Sequence, residues 1–363
     1  MFFNLEYIHD HPCNKMEEVI QFFFRESIDQ KKYGGHLFPE WFRSTVRNSP
    51  KLSVCFENVF NMLQKREPAF RQQIYNQLLN NNCIEEICNN PDFQMSGFLE
   101  WDSDLGRNIK TLFQNELYAA LDKAVFRPLN CNKKPKKSYY DAFLKKNRHV
   151  CPFCGMETFP NPKGPTRSDF DHYLNKAGYP FSAANLKNLV PMCKECNQGY
   201  KKAKSVIDDG GTRTPAFYPF GEHPPVFLKI TCEKFSENID DKNTWKVVLF
   251  SEDKTVTLKI HTWDRVFKIK KRIKEEVEKY FEDWMEGFFI DEIRQANILE
   301  SLQDLRDRLS SHAEKYEQKI SLRKEVGAII KHAFFKYMAL KSPDLFLNGF
   351  RVLFNHRING KAA

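Results

Sequence analysis

Two cysteine pairs, Cys151-Pro-Phe-Cys154 and Cys193-Lys-Glu-Cys196, stand in the chain with 38 residues between them. A two-residue spacer lets both sulfurs of a pair face one ion, and four thiolates from two such turns meet the tetrahedral preference of zinc. Gly155, directly after the first pair, supplies the permissive backbone that a tight turn around thiolates uses. Zinc closed by four cysteines has no open coordination position, so it staples the chain and cannot itself activate water. The chemistry then falls to the residues between the pairs. Cys13, Cys55, Cys83, Cys88, Cys131 and Cys232 show no such pattern and read as small buried hydrophobes. His9, His11 and Cys13 offer further ligand atoms, but no fourth partner accompanies them.

Charge marks the same region. Of the 363 residues, 56 are Lys or Arg and 47 are Asp or Glu. Residues 131–204 hold fifteen basic and five acidic side chains, a local +10, while the other 289 positions hold 41 against 42. A basic excess confined to one fifth of the chain points to a polyanionic partner for that segment, of which nucleic acid is the commonest. Ten cysteines are too sparse for a disulfide-stapled secreted scaffold. The opening MFFNLEYIHD lacks the order of a signal peptide, and no apolar run approaches the roughly 18 residues of a membrane span. These features predict a cytoplasmic, reduced protein with no membrane partner.

Periodicity predicts an α+β fold that is mainly helical. Residues 1–130 read as a helical N-terminal domain, with Met16, Val19, Ile20, Phe23 and Phe24 on one face and breaks at Gly34-Gly35, Pro50, Pro68 and Asn80–Asn82. Residues 131–149 interleave Lys133, Lys134, Lys136, Lys137, Lys145, Lys146 and Arg148 with Tyr139, Tyr140 and Phe143; the half around Pro135 reads as a solvated linker and the second half as a short helix. Within 131–215, Phe170–Tyr173 and Leu189–Met192 are β-prone with Gly178 and Pro180 between them, and Lys194–Ser205 is helical, which gives strand, loop, strand, helix. Residues 216–262 read as a small antiparallel β segment built from FLKIT, WKVVLF and TVTLKIHTW. Residues 263–363 return to helices, with Val266, Ile269, Ile273, Val277, Tyr280, Trp284 and Phe288 on the first apolar face.

The order CPFC, FDHYLNK and NLVPMCKECNQGYK, over residues 148–205, resembles HNH endonucleases of the ββα-metal fold, in the branch with a four-cysteine zinc site and a DHYLPK-type first strand. Asn175 stands where that branch usually has proline, and Asn197 where many members have histidine. The resemblance implies that residues 131–215 form a central zinc-stapled ββα-metal HNH nuclease domain. It further implies that Asp171 and Asn197 hold a catalytic Mg²⁺ or Mn²⁺, that His172 is the general base, and that Asn188 braces the loop and helps orient the histidine. Lys201, Lys202 and Lys204 on the following helix, with Arg167 and Lys176, would meet DNA phosphates. Asp169 reads as solvated strand-edge charge.

Elementary chemistry agrees with those roles. Phosphodiester hydrolysis needs a poised nucleophile, a divalent ion on the phosphate and stabilisation of the leaving oxygen. A carboxylate and an amide carbonyl suit a hard cation, and imidazole titrates near neutrality. Adjacent strand residues point to opposite faces, so Asp171 and His172 should diverge into separate tasks. The expected activity is metal-dependent cleavage of DNA to 3′-hydroxyl and 5′-phosphate ends. A zinc-ribbon module that binds nucleic acid without catalysis is the alternative from another class. Similar HNH domains serve as effectors of bacterial anti-phage systems, in restriction enzymes and in mobile elements. The helical arms lack a target-reading motif, which favours an effector controlled by a regulatory protein partner. Dimerisation through helices around 264–320 would bring two nicking centres together.

Overall fold

The computed structural model describes residues 1–94, 100–121, 135–161, 170–234, 243–294 and 299–361. Arg167, Asp169, Cys131, Lys133 and Lys134 lie outside the described residues. The fold is mostly helical with small antiparallel sheets, as the periodicity predicts for an α+β chain. The chain divides into two compact units, one made of Asn4–Asn147 and Phe159–His223, the other of Met1–Phe3, Arg148–Thr158 and Pro224–Ala363.

The first unit opens with helices α1 (Lys15–Glu26), α2 (Glu40–Arg47), α3 (Pro50–Gln64), α4 (Pro68–Asn81), α5 (Ile84–Asn89) and α6 (Asp104–Lys110). Prolines at the first position of α3 and α4 cost no hydrogen bond there and preset the helical φ. On α1, Met16, Val19, Ile20, Phe23 and Phe24 are all buried, the face that their three- and four-residue spacing predicts. Phe23 meets Phe56 with ring centroids 4.7 Å apart, and Phe38 meets Phe56 at 4.9 Å. A π-helical segment, Thr111–Leu117, leads into α7 (Tyr118–Ala120).

Helix α8 (Pro135–Lys146) then begins at the proline itself, where the sequence reading placed a solvated linker. Pro135 and Lys136 are buried with Tyr139, Tyr140 and Phe143, so the apolar stripe of this helix extends one turn further back than its aromatic residues indicate.

Two short strands follow, β1 (Asp171–His172) and β2 (Leu189–Val190), paired antiparallel with Asp171 opposite Val190 and His172 opposite Leu189. Phe181, in the intervening loop, is held against Trp101, Phe113 and Phe24 at centroid distances of 5.2, 5.3 and 5.9 Å. The helical core thereby fixes the loop that carries the hairpin. A π-helical turn, Glu195–Lys201, comes next. It is followed by β3 (Asp208–Asp209) and β4 (Thr212–Arg213), joined through Gly210 and Gly211 at φ +61° and +91°, the paired left-handed conformation of a type I′ turn.

The second unit contains β5 (Phe227–Lys234) and β6 (Thr244–Phe250), antiparallel with Ile230 opposite Val247. Helices α9 (Thr257–Phe267), α10 (Ile269–Arg294), α11 (Leu302–Ser321), α12 (Ala328–Lys341) and α13 (Asp344–Lys361) complete it. The run Thr255–Trp263, predicted as a third strand, is helical instead. Its alternation of β-formers is overridden by burial at helical spacing, since Ile260, Trp263, Val266 and Phe267 all face inward. Asp253 accepts from the Thr255 amide at 2.8 Å and starts the turn, and the Trp263 indole donates to the Phe153 carbonyl at 2.9 Å.

Trp245 on β6 is the largest wholly buried side chain of this unit, with Phe281, Phe334 and Tyr337 around it at 5.6, 5.7 and 6.2 Å. Its removal leaves a cavity that flanking helices cannot readily fill. Trp245→Ala should lower stability by about 3–5 kcal/mol, read from the shift of the urea midpoint. A loss below about 1 kcal/mol would show that the indole is not the centre of this core.

Candidate metal centre and hairpin site

The Sγ atoms of Cys151, Cys154, Cys193 and Cys196 all lie within 4.8 Å of one another, and all four residues are buried. A tetrahedron of sulfurs about 2.3 Å from zinc has edges of about 3.8 Å, so the cluster has the size of a structural zinc site. Among the described residues it is the one group of three or more Cys, His, Asp or Glu side chains able to hold a metal. The backbone around the first pair is built for a knuckle. Cys151 donates to Glu157 O at 2.8 Å, Gly155 donates back to Cys151 O at 2.8 Å, and the Met156 amide points at Cys154 Sγ at 3.4 Å. Gly155 sits at φ +69°, and a Cβ there would fall 3.2 Å from Ile329 Cγ2, so both conformation and space select glycine. At the second pair the Cys196 amide points at Cys193 Sγ at 3.4 Å. The His9, His11 and Cys13 group is not assembled as a ligand set: His11 Nδ1 accepts from the Cys13 amide at 3.2 Å and caps a short turn.

Between the pairs, Asn188 organises the hairpin. Its Oδ1 accepts from the Leu174 amide at 2.7 Å, and its Nδ2 donates to Leu174 O at 3.0 Å and Ser182 O at 3.2 Å. It is fully buried, so each bond replaces one that water would otherwise make. The next pairing along the hairpin, Tyr173 N to Asn188 O at 2.9 Å, continues the register that sets His172 opposite Leu189 and Asp171 opposite Val190.

Those two side chains diverge, as strand geometry predicts. His172 Nε2 lies 3.0 Å from the carbonyl oxygen of Ala183. A carbonyl only accepts, so Nε2 carries the proton and Nδ1 keeps the lone pair. The ring packs on Tyr118 with centroids 4.7 Å apart. Lys136 reaches the same place from α8: its Nζ donates to the Tyr118 hydroxyl at 2.8 Å and sits 4.6 Å over the ring. Burial, the nearby ammonium of Lys176 and, more weakly, those of Lys201 and Lys136 hold the imidazole down to about 4, against the opposing hydrogen bond to Ala183.

Asp171 turns the other way, into the π-helical turn. Lys201 Nζ lies 2.8 Å from its Oδ2 and donates to His172 O at 2.9 Å. Both side chains are buried, and the ammonium meets Oδ2 at hydrogen-bonding distance. Burial raises the Asp171 carboxyl more than Lys201 lowers it. Lys201 is therefore not among the surface lysines free to meet a phosphate, which corrects its assignment to a DNA-contacting face. Lys176, Lys202 and Lys204 are exposed, and Arg167 lies outside the described residues. Asn197 is half-buried in the turn that ends at Lys201, with its own carbonyl accepting from Lys202 N at 2.8 Å. Sequence reasoning missed Tyr118 and Lys136. The helical spacing of Lys136 with Tyr139, Tyr140 and Phe143 could have flagged the lysine, whereas nothing local marks Tyr118.

With this geometry in view, comparison with known proteins gives one informative relation. The chain is 36% identical to "Protein ea31" of Escherichia phage lambda over 89 residues, covering 24% of this chain and 28% of the phage protein. The chain thus matches less than a third of that relative's length. No family model and no solved structure matches. No described helix is long and apolar enough to cross a membrane. The class defined so far is a mostly helical α+β protein with a buried four-cysteine cluster suited to zinc.

Metal analysis of the purified protein should return one zinc per chain. Cys193→Ser should lose it and unfold several kcal/mol more easily, because site assembly is part of the folding free energy. Full stability after exhaustive chelation would remove zinc from the fold.

The imidazole gives a pH test. Its folded value of about 4 lies below the ordinary value near 6.5, so the unfolded chain binds the proton more readily. The associated stability is fully present above pH 6.5 and is lost as pH falls from there through about 4, by about 3 kcal/mol at most. The raised Asp171 carboxyl acts in the opposite sense, so the informative quantity is the difference between wild type and His172→Gln. Urea unfolding should show that difference shifting against the wild type between pH 7 and pH 4.5; a constant difference would show that the imidazole is not held neutral.

Proposed function

We propose that the protein is an HNH endonuclease that hydrolyses DNA phosphodiesters with the help of Mg²⁺ or Mn²⁺. The observation that carries this reading is the fixed tautomer of His172. A half-buried imidazole whose Nε2 is committed to Ala183 O offers Nδ1 as a base, and the neighbouring residue on the same strand is a buried carboxylate. A ribbon that only binds nucleic acid has no use for that pair.

The residues suit a catalytic cation in their donor chemistry. Asp171 and Asn197 offer oxygen atoms, which a hard divalent ion prefers, and the charged one, Asp171 Oδ2, is met in this structure by the Lys201 ammonium at 2.8 Å. Bound there, the ion would polarise the phosphate and stabilise the departing oxygen. The chain itself would do the rest. His172 Nδ1 takes the proton of the attacking water as the P–O3′ bond breaks, leaving a 5′-phosphate and a 3′-hydroxyl that gains its proton from solvent. Asn188 holds the loop that presents Ala183, and Tyr118 limits rotation of the imidazole. Exposed Lys176, Lys202 and Lys204 supply charge for the DNA backbone.

In biological terms we read the protein as a regulated effector of bacterial anti-phage defence, with a protein partner releasing its activity. A relative carried by a phage favours the second setting, a nuclease of a mobile element.

Supercoiled plasmid incubated with Mg²⁺ or Mn²⁺ and the zinc-loaded protein should be nicked or linearised. His172→Ala should lower the rate by about 10²–10⁴-fold while DNA binding persists. Wild-type protein that binds plasmid and leaves it intact with either ion, with and without candidate partners, would favour the binding module.

A further inference from the structure

We propose that the Lys201 ammonium is the resting counter-ion of Asp171 and that a divalent cation enters the site by exchanging with it. This rests on the nuclease reading for the identity of the site, but it concerns cation binding and not cleavage. Lys201 is completely buried, and its Nζ lies between Asp171 Oδ2 at 2.8 Å and His172 O at 2.9 Å. A lysine so buried is held by its acceptors, and the one that carries charge is the carboxylate proposed to bind the metal. The turn that carries it has an uncommon backbone. The Asn197 carbonyl accepts from Lys202 N, five residues on, at 2.8 Å, and Lys202 then reverses the chain at φ +50°, a conformation that non-glycine residues rarely adopt. Together these leave Lys201 facing inward while Lys202 is exposed.

An ammonium at 2.8 Å from Oδ2 and a cation about 2.1 Å from the same carboxylate would be near neighbours of like sign in a desolvated pocket. Their repulsion makes the two occupancies mutually exclusive or strongly antagonistic. The lysine stem is long and flexible, so leaving takes rotamer changes together with loss of the hydrogen bond to His172 O. The exchange would give the metal-free protein a neutralised site that folds without the catalytic ion, and would keep the affinity for that ion low until Lys201 is drawn elsewhere.

The test is Mn²⁺ binding to the zinc-loaded full chain without DNA, followed by the EPR signal of free Mn²⁺. Lys201→Met and the more polar Lys201→Gln should each bind Mn²⁺ at least tenfold more tightly than wild type, and Lys201→Arg, which keeps the charge, should stay within about threefold of it. Asp171→Asn in either background should abolish the gain. Circular dichroism and zinc content identify any variant that fails to fold, and the other then decides. Affinity in the folded neutral variants equal to or weaker than wild type would overturn the exchange and make Lys201 a fixed strut. The outcome is separable from the nuclease reading. Tightened Mn²⁺ binding in a protein that never cuts DNA would sustain the exchange and refute the nuclease, while cutting without tightened binding would do the reverse.

Discussion

The buried pair of Asp171 and Lys201 governs how the hairpin site is arranged. Removing one partner of such a pair typically costs 3–5 kcal/mol, because the survivor is left as an uncompensated buried charge. Here the pair also joins β1 to the π-helical turn, and the second acceptor of Lys201 is the backbone of His172. The same ammonium therefore neutralises the carboxylate and holds the strand that carries the imidazole. Burial still prevails over that attraction, since the Asp171 carboxyl stays above its ordinary value. A site balanced in this way responds strongly to any new cation or anion near it, because little water is present to screen the change.

Support for the hairpin comes from hydrophobic and amide interactions of different range. Asn188 closes the loop locally, with bonds to Leu174 and Ser182. Phe181 fixes the same loop from a distance, through edge contacts to Phe24, Phe113 and Trp101 on the helical scaffold. Ala183, two residues after Phe181, is the acceptor for His172, so the aromatic anchor and the imidazole tautomer are linked through a very short stretch of chain. A Phe-rich helical region with no chemistry of its own is thereby connected to the orientation of one ring.

What could be read from the sequence follows from how local each signal is. The cysteine pairs declare themselves because a two-residue spacer constrains two sulfurs whatever the surrounding fold, and the cluster is found buried. The face of α1 was legible for the same reason: its spacing is an intrinsic property of a helix. Thr255–Trp263 misled because β-branched alternation and helical burial overlap over nine residues, and the contact that decides between them lies more than a hundred residues away, at Phe153. Lys201 misled for a different reason. In a regular helix it would share the solvent face expected of a basic run, but the five-residue backbone bond of a π-type turn rotates it inward, and no residue type announces that bond. Lys136 was hidden by the expectation that lysine beside proline is solvated, whereas its stem packs in α8 and its ammonium finds a phenol.

Thiolate and oxygen ligands explain why two cation sites would not interfere. Cysteine sulfurs are soft donors that select zinc, and four of them leave it no vacancy for water or phosphate. The compactness of the cluster matters here, since sulfurs all within 4.8 Å of one another leave no room for a larger, hydrated ion to keep its waters. Oxygen donors such as those of Asp171 and Asn197 have the opposite preference and would favour a hard ion that retains exchangeable waters. Excess Mg²⁺ would then leave the scaffold ion in place, and excess zinc, which also accepts oxygen and imidazole, would be the more damaging competitor at the hairpin. A lysine already lying on the carboxylate would raise the threshold for both, because an entering ion would first have to overcome that internal charge.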